Sequence, residues 1–308
     1  MSRFAILCDC TCDLTEEIRK RFDIDYIKGH IAFPDGKEHI CSLEWDIISR
    51  DDFYASLLKK DAAYATSPAN ITEYAECFRS YAQKGIDVLS LSLSSGLSGT
   101  YSFALKGAEA VSVEYPNVKI ICVDSLRYST LCGLMAVCAS EMRENGSTVE
   151  ETAAWLESNK NRFHQMGWVD DLTFLARKGR ITNSKAFFGK LVGVKPLGDI
   201  DYNGLTTVLG KAKGEKAALE AIVRYIELTA EKPEEQLFFI AQSYRSRQAE
   251  LLREMIAERI HPREIIMTEV FPGCGVSIGP GLMAAYYIGQ PISVGLENEK
   301  KIMTELLA

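Results

Sequence analysis

The sequence predicts an α/β protein of two domains, the first an α/β/α layer with a parallel sheet, the second smaller with a mixed sheet. Three observations carry this. Apolar strand-like runs alternate with helical patterns through the first half, the signature of βαβ units. The apolar run 88–93 stops abruptly at Ser94-Ser95-Gly96-Leu97-Ser98-Gly99-Thr100, where a helical pattern begins. In the second half Asn203-Gly204 separates two short extended runs, a hairpin signal that requires antiparallel pairing there.

The elements follow in order. Residues 4–8 read as a strand, and Leu14, Ile18 and Phe22 then fall at four-residue spacing, with Asp13 or Thr15 as the cap. Residues 26–33 look extended and end in the turn Pro34-Asp35-Gly36. Helices are expected over 51–58, 71–83, 99–113, 131–144 and 149–157, and strands over 88–93 and 118–123. The pattern then changes, and the domain boundary is placed near 158–162, giving domains 1–160 and 161–308. Beyond it come the hairpin within 195–209, helices over 217–229 and 247–259, and extended segments over 237–241, 265–269 and 292–296.

With 308 residues the chain can bury two ordinary cores. A net charge of -7 provides no basic field, which argues against a nucleic-acid partner. The apolar stretches 131–139 and 282–288 are too short to span a bilayer, so no membrane insertion is expected. The N-terminal residues enter a strand directly and do not read as a signal peptide, so the expected location is cytoplasmic. Cys8, Cys10 and Cys12 alternate and would share one face if extended. The nine cysteines contain no C-x-x-C, and the four histidines show no ligand spacing. Free, mostly buried thiols are expected, with neither a metal nor a cofactor.

The serine-rich loop is the functional signal. A strand tip feeding a helix N-terminus offers backbone N–H groups and a positive dipole end, and ligands of parallel sheets bind at the carboxyl ends of the strands. The loop therefore suits a small anionic group, or it is simply a serine-rich helix cap. Thr66-Ser67 before Pro68 has the same two readings. Residues 177–180, Arg-Lys-Gly-Arg, could be a solvated basic turn. Ser277 could be a plain loop hydroxyl, and Gly273, Gly275, Gly279 and Gly281 either a gating loop or turn glycines. Phe187, Phe188, Leu191 and Val192 could line an apolar tunnel or pack in a core.

Seven stretches in order resemble the DegV family of fatty-acid-binding proteins. They are Asp9-Cys10-Thr11-Cys12-Asp13-Leu14, Thr66-Ser67, Ser94 to Tyr101, Val123-Asp124-Ser125, Leu172 to Ile181, Val194-Lys195-Pro196-Leu197 with Asn203-Gly204, and Gly279-Pro280-Gly281. The resemblance implies a lipid bound between two domains. It implies that the carboxylate of a long-chain fatty acid such as palmitate meets Thr66, Ser67, Ser95 and Ser98, with Arg180 near the same head group. Ser94 and Ser277 complete the candidate set. Family members that serve as fatty-acid kinase subunits present the acid to a separate kinase catalytic protein, which makes the acyl phosphate. This chain departs from the pattern at two points: Ser277 stands where many members have His, and Lys178 replaces the first glycine of Gly-Gly-Arg. A serine donates one hydrogen bond but cannot become a cation.

Two other functions stay open. A serine-dependent acyl hydrolase would use Ser98 or Ser95, although residues 96–100 break the G-x-S-x-G elbow at the last position. Phosphoryl transfer by this chain lacks a G-x-x-x-x-G-K-[ST] loop, and a binder of another small anionic metabolite is the remaining alternative. The expected function is a non-enzymatic carrier of a long-chain fatty acid, its carboxylate on strand-end hydroxyls and its tail in an apolar tunnel.

Overall fold

The structure is a computed structural model that describes residues 4–59, 62–182 and 193–308. The chain divides into two compact units. The first comprises the described residues up to Ile47, Ala63–Lys160 and Phe271–Gly273. The second comprises those of Ile48–Ala62, Asn161–Val270 and Cys274–Ala308.

The first unit opens with β1 (Ala5–Asp9), α1 (Glu16–Phe22), β2 (Ile24–Ile27), β3 (Gly29–Ala32) and β4 (Glu38–Cys41). Thr15 caps α1, its hydroxyl accepting from the Ile18 amide, so Thr15 rather than Asp13 takes that role. The single extended segment expected over 26–33 is two strands in two different sheets, broken at Lys28. The expected turn at Pro34-Asp35-Gly36 closes a β3–β4 hairpin, with Gly36 at φ +80°. The helix α2 (Arg50–Leu57) counts with the second unit. Then follow β5 (Ala65–Ser67), α3 (Ile71–Ala82), β6 (Val88–Ser92), α4 (Thr100–Glu114), β7 (Ile120–Asp124), α5 (Thr130–Glu144) and α6 (Val149–Asn159).

The four strands β2-β1-β6-β7 form an all-parallel sheet, and β4-β3-β5 a small antiparallel one. Alternation along β1 sends neighbours to opposite faces. Leu7 packs with Val88 and with Tyr74, Phe78, Ala104 and Val111 of α3 and α4. Cys8, on the other face, meets Cys132 of α5 and Cys12. Strand β1 ends at Asp9, so Cys8, Cys10 and Cys12 do not share a strand face. The nine cysteines are free and six of them are buried.

The second unit continues with β8 (Phe163–Val169), α7 (Thr173–Lys178), β9 (Val194–Ile200), β10 (Thr206–Lys213), α8 (Gly214–Thr229), β11 (Leu237–Gln242), α9 (Ser246–Arg259) and β12 (Glu264–Glu269). Helix α10 (Pro272–Ile278), β13 (Leu282–Ile288) and α11 (Glu297–Leu307) complete the chain. Its six-stranded sheet runs β10-β9-β8-β13-β11-β12, with only β11 and β12 parallel. The expected hairpin is β9–β10, turning at Gly204 with φ +79°. Trp168, Tyr225, Phe238 and Tyr287 anchor its core.

Strand β8 and helices α7 and α11 were not anticipated from the sequence, and three further segments of this unit also differ from its reading. The apolar stretch 282–288 is β13, an interior strand between β8 and β11, and buried on both faces it shows no alternation. Segment 292–296 is not a strand; its end is the short turn Val294–Leu296, with Gly295 at φ +73°. Gly273 and Gly275 lie inside α10 rather than in a gating loop. A Cβ at Gly273 would stand 2.7 Å from the Cys10 carbonyl oxygen, and one at Gly275 would stand 2.8 Å from the Phe53 ring. Close packing, not mobility, demands those glycines.

Candidate functional site: a hydroxyl-bearing loop at the strand ends

Because β1, β6 and β7 are adjacent and parallel, their carboxyl ends deliver three chain segments to one edge of the sheet. The middle one is the serine loop. Three consecutive amides hold its start. The Leu93 N–H donates to Asp9 Oδ2 at 2.8 Å, Ser94 to the Arg127 carbonyl at 2.7 Å, and Ser95 to Asp124 Oδ1 at 3.1 Å. Ser94 then organises the turn. Its hydroxyl accepts from the Gly96 amide at 3.2 Å, and its carbonyl accepts from Leu97 at 3.0 Å and Ser98 at 3.2 Å. The Ser98 hydroxyl accepts from the Thr100 amide at 3.3 Å and pairs with the Thr100 hydroxyl at 2.8 Å.

The loop amides are thus less available to a ligand than the strand-to-helix geometry suggests. The amides of residues 96, 97, 98 and 100 all have partners inside the loop, so they do not form a free cradle for an anion. The serines also separate by role. Ser94 is fully buried and Ser98 half-buried, both engaged locally, whereas Ser95 is exposed and its hydroxyl makes no hydrogen bond among the described residues. What the loop offers outward is a hydroxyl.

Thr66 and Ser67 lie on β5, pairing with Ile31 and His30 of β3. Both are exposed, and neither hydroxyl is bonded among the described residues. They are not helix caps. Asn70 caps α3, with a full capping box to Glu73, which leaves the Thr66 and Ser67 side chains free. Gly29 brings this ribbon to the end of β1: a Cβ there would lie 2.9 Å from both Cys10 Sγ and the Ser67 carbonyl.

Two aspartates at strand ends were missed as functional supports, although both sit in matched motifs. Asp9 accepts from the Thr11 amide at 2.9 Å and from the Thr11 hydroxyl, besides Leu93. Burial pushes its carboxyl above the usual range, and these three donors oppose the shift. Asp124 accepts from both Ser95 and Leu126 on one oxygen. The signal available in the sequence was an acidic residue at the last position of each strand, just before a polar loop.

Arg180 and Ser277 belong to the second unit. Arg180 is half-buried just past α7; its guanidinium donates to the Lys178 carbonyl and its amide to Leu175 O at 2.9 Å. Gly179 has φ +69°, and Lys178 is helical, so only the second position of this pair needs a glycine. Ser277 is half-buried within α10 and so is not a loop hydroxyl. Phe187, Phe188, Leu191 and Val192 lie outside the described residues.

No histidine is bonded to a loop serine among the described residues. His30 pairs with Glu73 at 3.0 Å, and His164 is buried between Asp199 at 2.8 Å and the Gln290 carbonyl at 2.7 Å. Among the same residues no group of three or more His, Cys, Asp or Glu side chains is placed to hold a metal ion, and no helix is long and apolar enough to cross a membrane. A cavity of about 400 Å³ in the first unit is lined by Ile27, Lys28, His39, Ile40, Asp46, Ile47 and Glu73, none of them a candidate site residue.

A family model described as "uncharacterised protein, DegV family" matches residues 3–290. The chain belongs to the DegV family. A DegV domain-containing protein of Clostridium perfringens is 32% identical over 289 residues, 94% of this chain and 98% of that one. A fatty acid-binding protein of Thermotoga maritima is 30% identical over 281 residues, 87% of this chain and 94% of that one. Among solved structures, a DegV family protein from Thermus thermophilus described by its fatty acid binding superimposes with a TM-score of 0.83. It is 26% identical, and the match covers 94% of this chain and 100% of that one. The parallel and mixed sheets of this chain are thus the DegV fold.

Proposed function

We propose that this protein is a non-enzymatic carrier of a long-chain fatty acid such as palmitate, its carboxylate taken by the hydroxyls of Ser95, Thr66 and Ser67. The observation that carries the reading is the division of labour among the hydroxyls. Ser94 and Ser98 build the loop, while Ser95, Thr66 and Ser67 are exposed, with hydroxyls unbonded among the described residues, on a scaffold that holds them in place. The Thermotoga and Thermus relatives, each described by fatty acid binding, support the ligand class. A carboxylate needs such donors to leave water, while each methylene of the tail contributes about 0.8 kcal/mol on entering an apolar tunnel. A sixteen-carbon chain therefore gains on the order of 10 kcal/mol before association costs.

Ser94 and Ser98 act in this reading as supports. Arg180 and Ser277 enter it through the family resemblance, and alanine variants of each test their part in ligand retention. Presentation of the bound acid to a separate kinase catalytic protein rests on the same resemblance; acyl phosphate formed from the loaded protein, ATP and such a kinase is its test. The reading places the carrier in the cytoplasm, where nine free thiols stay reduced. The absence of a histidine bonded to Ser95 or Ser98 among the described residues disfavours the hydrolase alternative.

The deciding experiment is mass spectrometry of the purified protein, native and after lipid extraction. One fatty acid per chain is expected, reduced in the Thr66→Ala/Ser95→Ala double variant. A protein that stays empty after incubation with acids of about 14 to 18 carbons would overturn the reading in favour of another small anionic metabolite.

A further inference from the structure

We infer that Asp124 is a positioning residue that sets the aim of the Ser95 hydroxyl, acting through hydrogen-bond geometry and not through its charge. The inference rests on the reading that Ser95 receives the ligand's carboxylate. Of the three amides that hold the loop, those of Leu93 and Ser94 belong to residues with buried side chains. Only the third, Ser95, carries an exposed hydroxyl, and its anchor is Asp124 Oδ1 at 3.1 Å. The same oxygen receives the Leu126 amide at 3.1 Å. The Asp124 carboxyl thus ties the serine loop to the loop that follows β7.

That second loop is itself braced. The Ser125 amide donates to Ser92 O at 3.2 Å, the Ser125 hydroxyl donates to Arg127 O at 2.9 Å, and the Arg127 amide donates back to that hydroxyl at 3.0 Å. Lys160 Nζ donates to the Asp124 carbonyl at 3.2 Å. Asp124 is therefore held from its main chain and presents a fixed acceptor to Ser95. A negative charge beside a site for a carboxylate works against binding, so an aspartate here is explained by where its oxygen sits.

Since both amides converge on one oxygen, asparagine can keep both bonds without the charge, and glutamate keeps the charge on an arm one methylene too long. In palmitate binding to the delipidated full chain, Asp124→Asn should match wild type or bind tighter. Asp124→Glu should bind roughly tenfold more weakly, the worth of about one hydrogen bond. Amide hydrogen exchange should show Ser95 and Leu126 protected in wild type and Asp124→Asn, and exchanging faster in Asp124→Glu. Glutamate binding as well as wild type, or asparagine binding as weakly as glutamate, overturns the inference. If wild type binds no palmitate the functional reading fails instead, and the exchange pattern alone decides the positioning role: equal protection in all three proteins refutes it.

Discussion

The serine loop of the first unit and the His164 cluster of the second are built from the same parts and end differently. Each centres on a carboxyl that accepts two backbone amides: Asp124 from Ser95 and Leu126, Asp199 from Gln165 at 2.8 Å and Ile200 at 2.7 Å. Around Asp199 the side-chain bonds run inward. His164 joins it to the Gln290 carbonyl, its ring stacks on Tyr287 at 5.3 Å, and the Tyr287 hydroxyl meets Thr229 at 2.7 Å. Around Asp124 the chain of bonds ends on an exposed hydroxyl that no group among the described residues uses. A polar cluster bonded within itself serves the core, whereas one that ends on an exposed donor is, in the proposed function, the one that serves a ligand.

Substitutions that break this contrast should differ in kind. The largest stability effect is expected at Asp199→Ala, which strands two buried amides and a buried imidazole and should cost about 3–5 kcal/mol. Chemical denaturation measures it, and a loss under about 1 kcal/mol would show that the cluster is not what holds the mixed sheet. Next comes Ser94→Ala, which removes the acceptor of the Gly96 amide inside the loop and should cost about 1–2 kcal/mol. Ser95→Ala should change stability by less than about 0.5 kcal/mol while lowering fatty-acid retention. If Ser94→Ala and Ser95→Ala prove equivalent in both readouts, the division between support and ligand contact is wrong.

Asp9 gives a pH signature. A carboxyl whose native pKa is raised by burial holds more protons in the folded chain than in the unfolded one between the two values. Its contribution to stability therefore falls as pH rises from the ordinary aspartate value of 3.8 through the raised one. The stability of wild type minus that of Asp9→Asn should decline across that window and level off above it. A difference flat with pH would contradict the burial. The smallest effect on ligand retention is expected at Lys178→Gly: position 178 is helical, so restoring the family glycine should cost about 1 kcal/mol of stability and leave retention unchanged.

Much of the first unit was legible because its signals are local. Strand β6, the helices α3 and α4 and the turn at Gly36 follow from periodicity, capping and glycine placement. The second unit was harder because β8 and β13 are buried on both faces, and a continuous apolar run does not declare its period. Within the site, residue types identified the hydroxyls at 66, 67 and 94–98. They could not say which of those hydroxyls stay unbonded, since Ser94 and Ser95 are chemically identical and differ only in what their neighbours bring. Nor could they show that the loop amides are already occupied, because Asp9 and Asp124 reach the loop from other strands, 84 and 29 residues away in sequence.

The burial of the thiols has a practical consequence for labelling. Six of the nine cysteines are buried, and among the half-buried ones desolvation pushes Cys77 up to about 11 and Cys122 up to about 12. Such thiols are almost entirely protonated at neutral pH and react slowly with maleimides. A Ser95→Cys variant would put one exposed sulfhydryl on this quiet background without removing the native cysteines. The rate at which that sulfhydryl reacts with a maleimide, with and without added fatty acid, would report whether the ligand covers position 95, where its head group is proposed to dock.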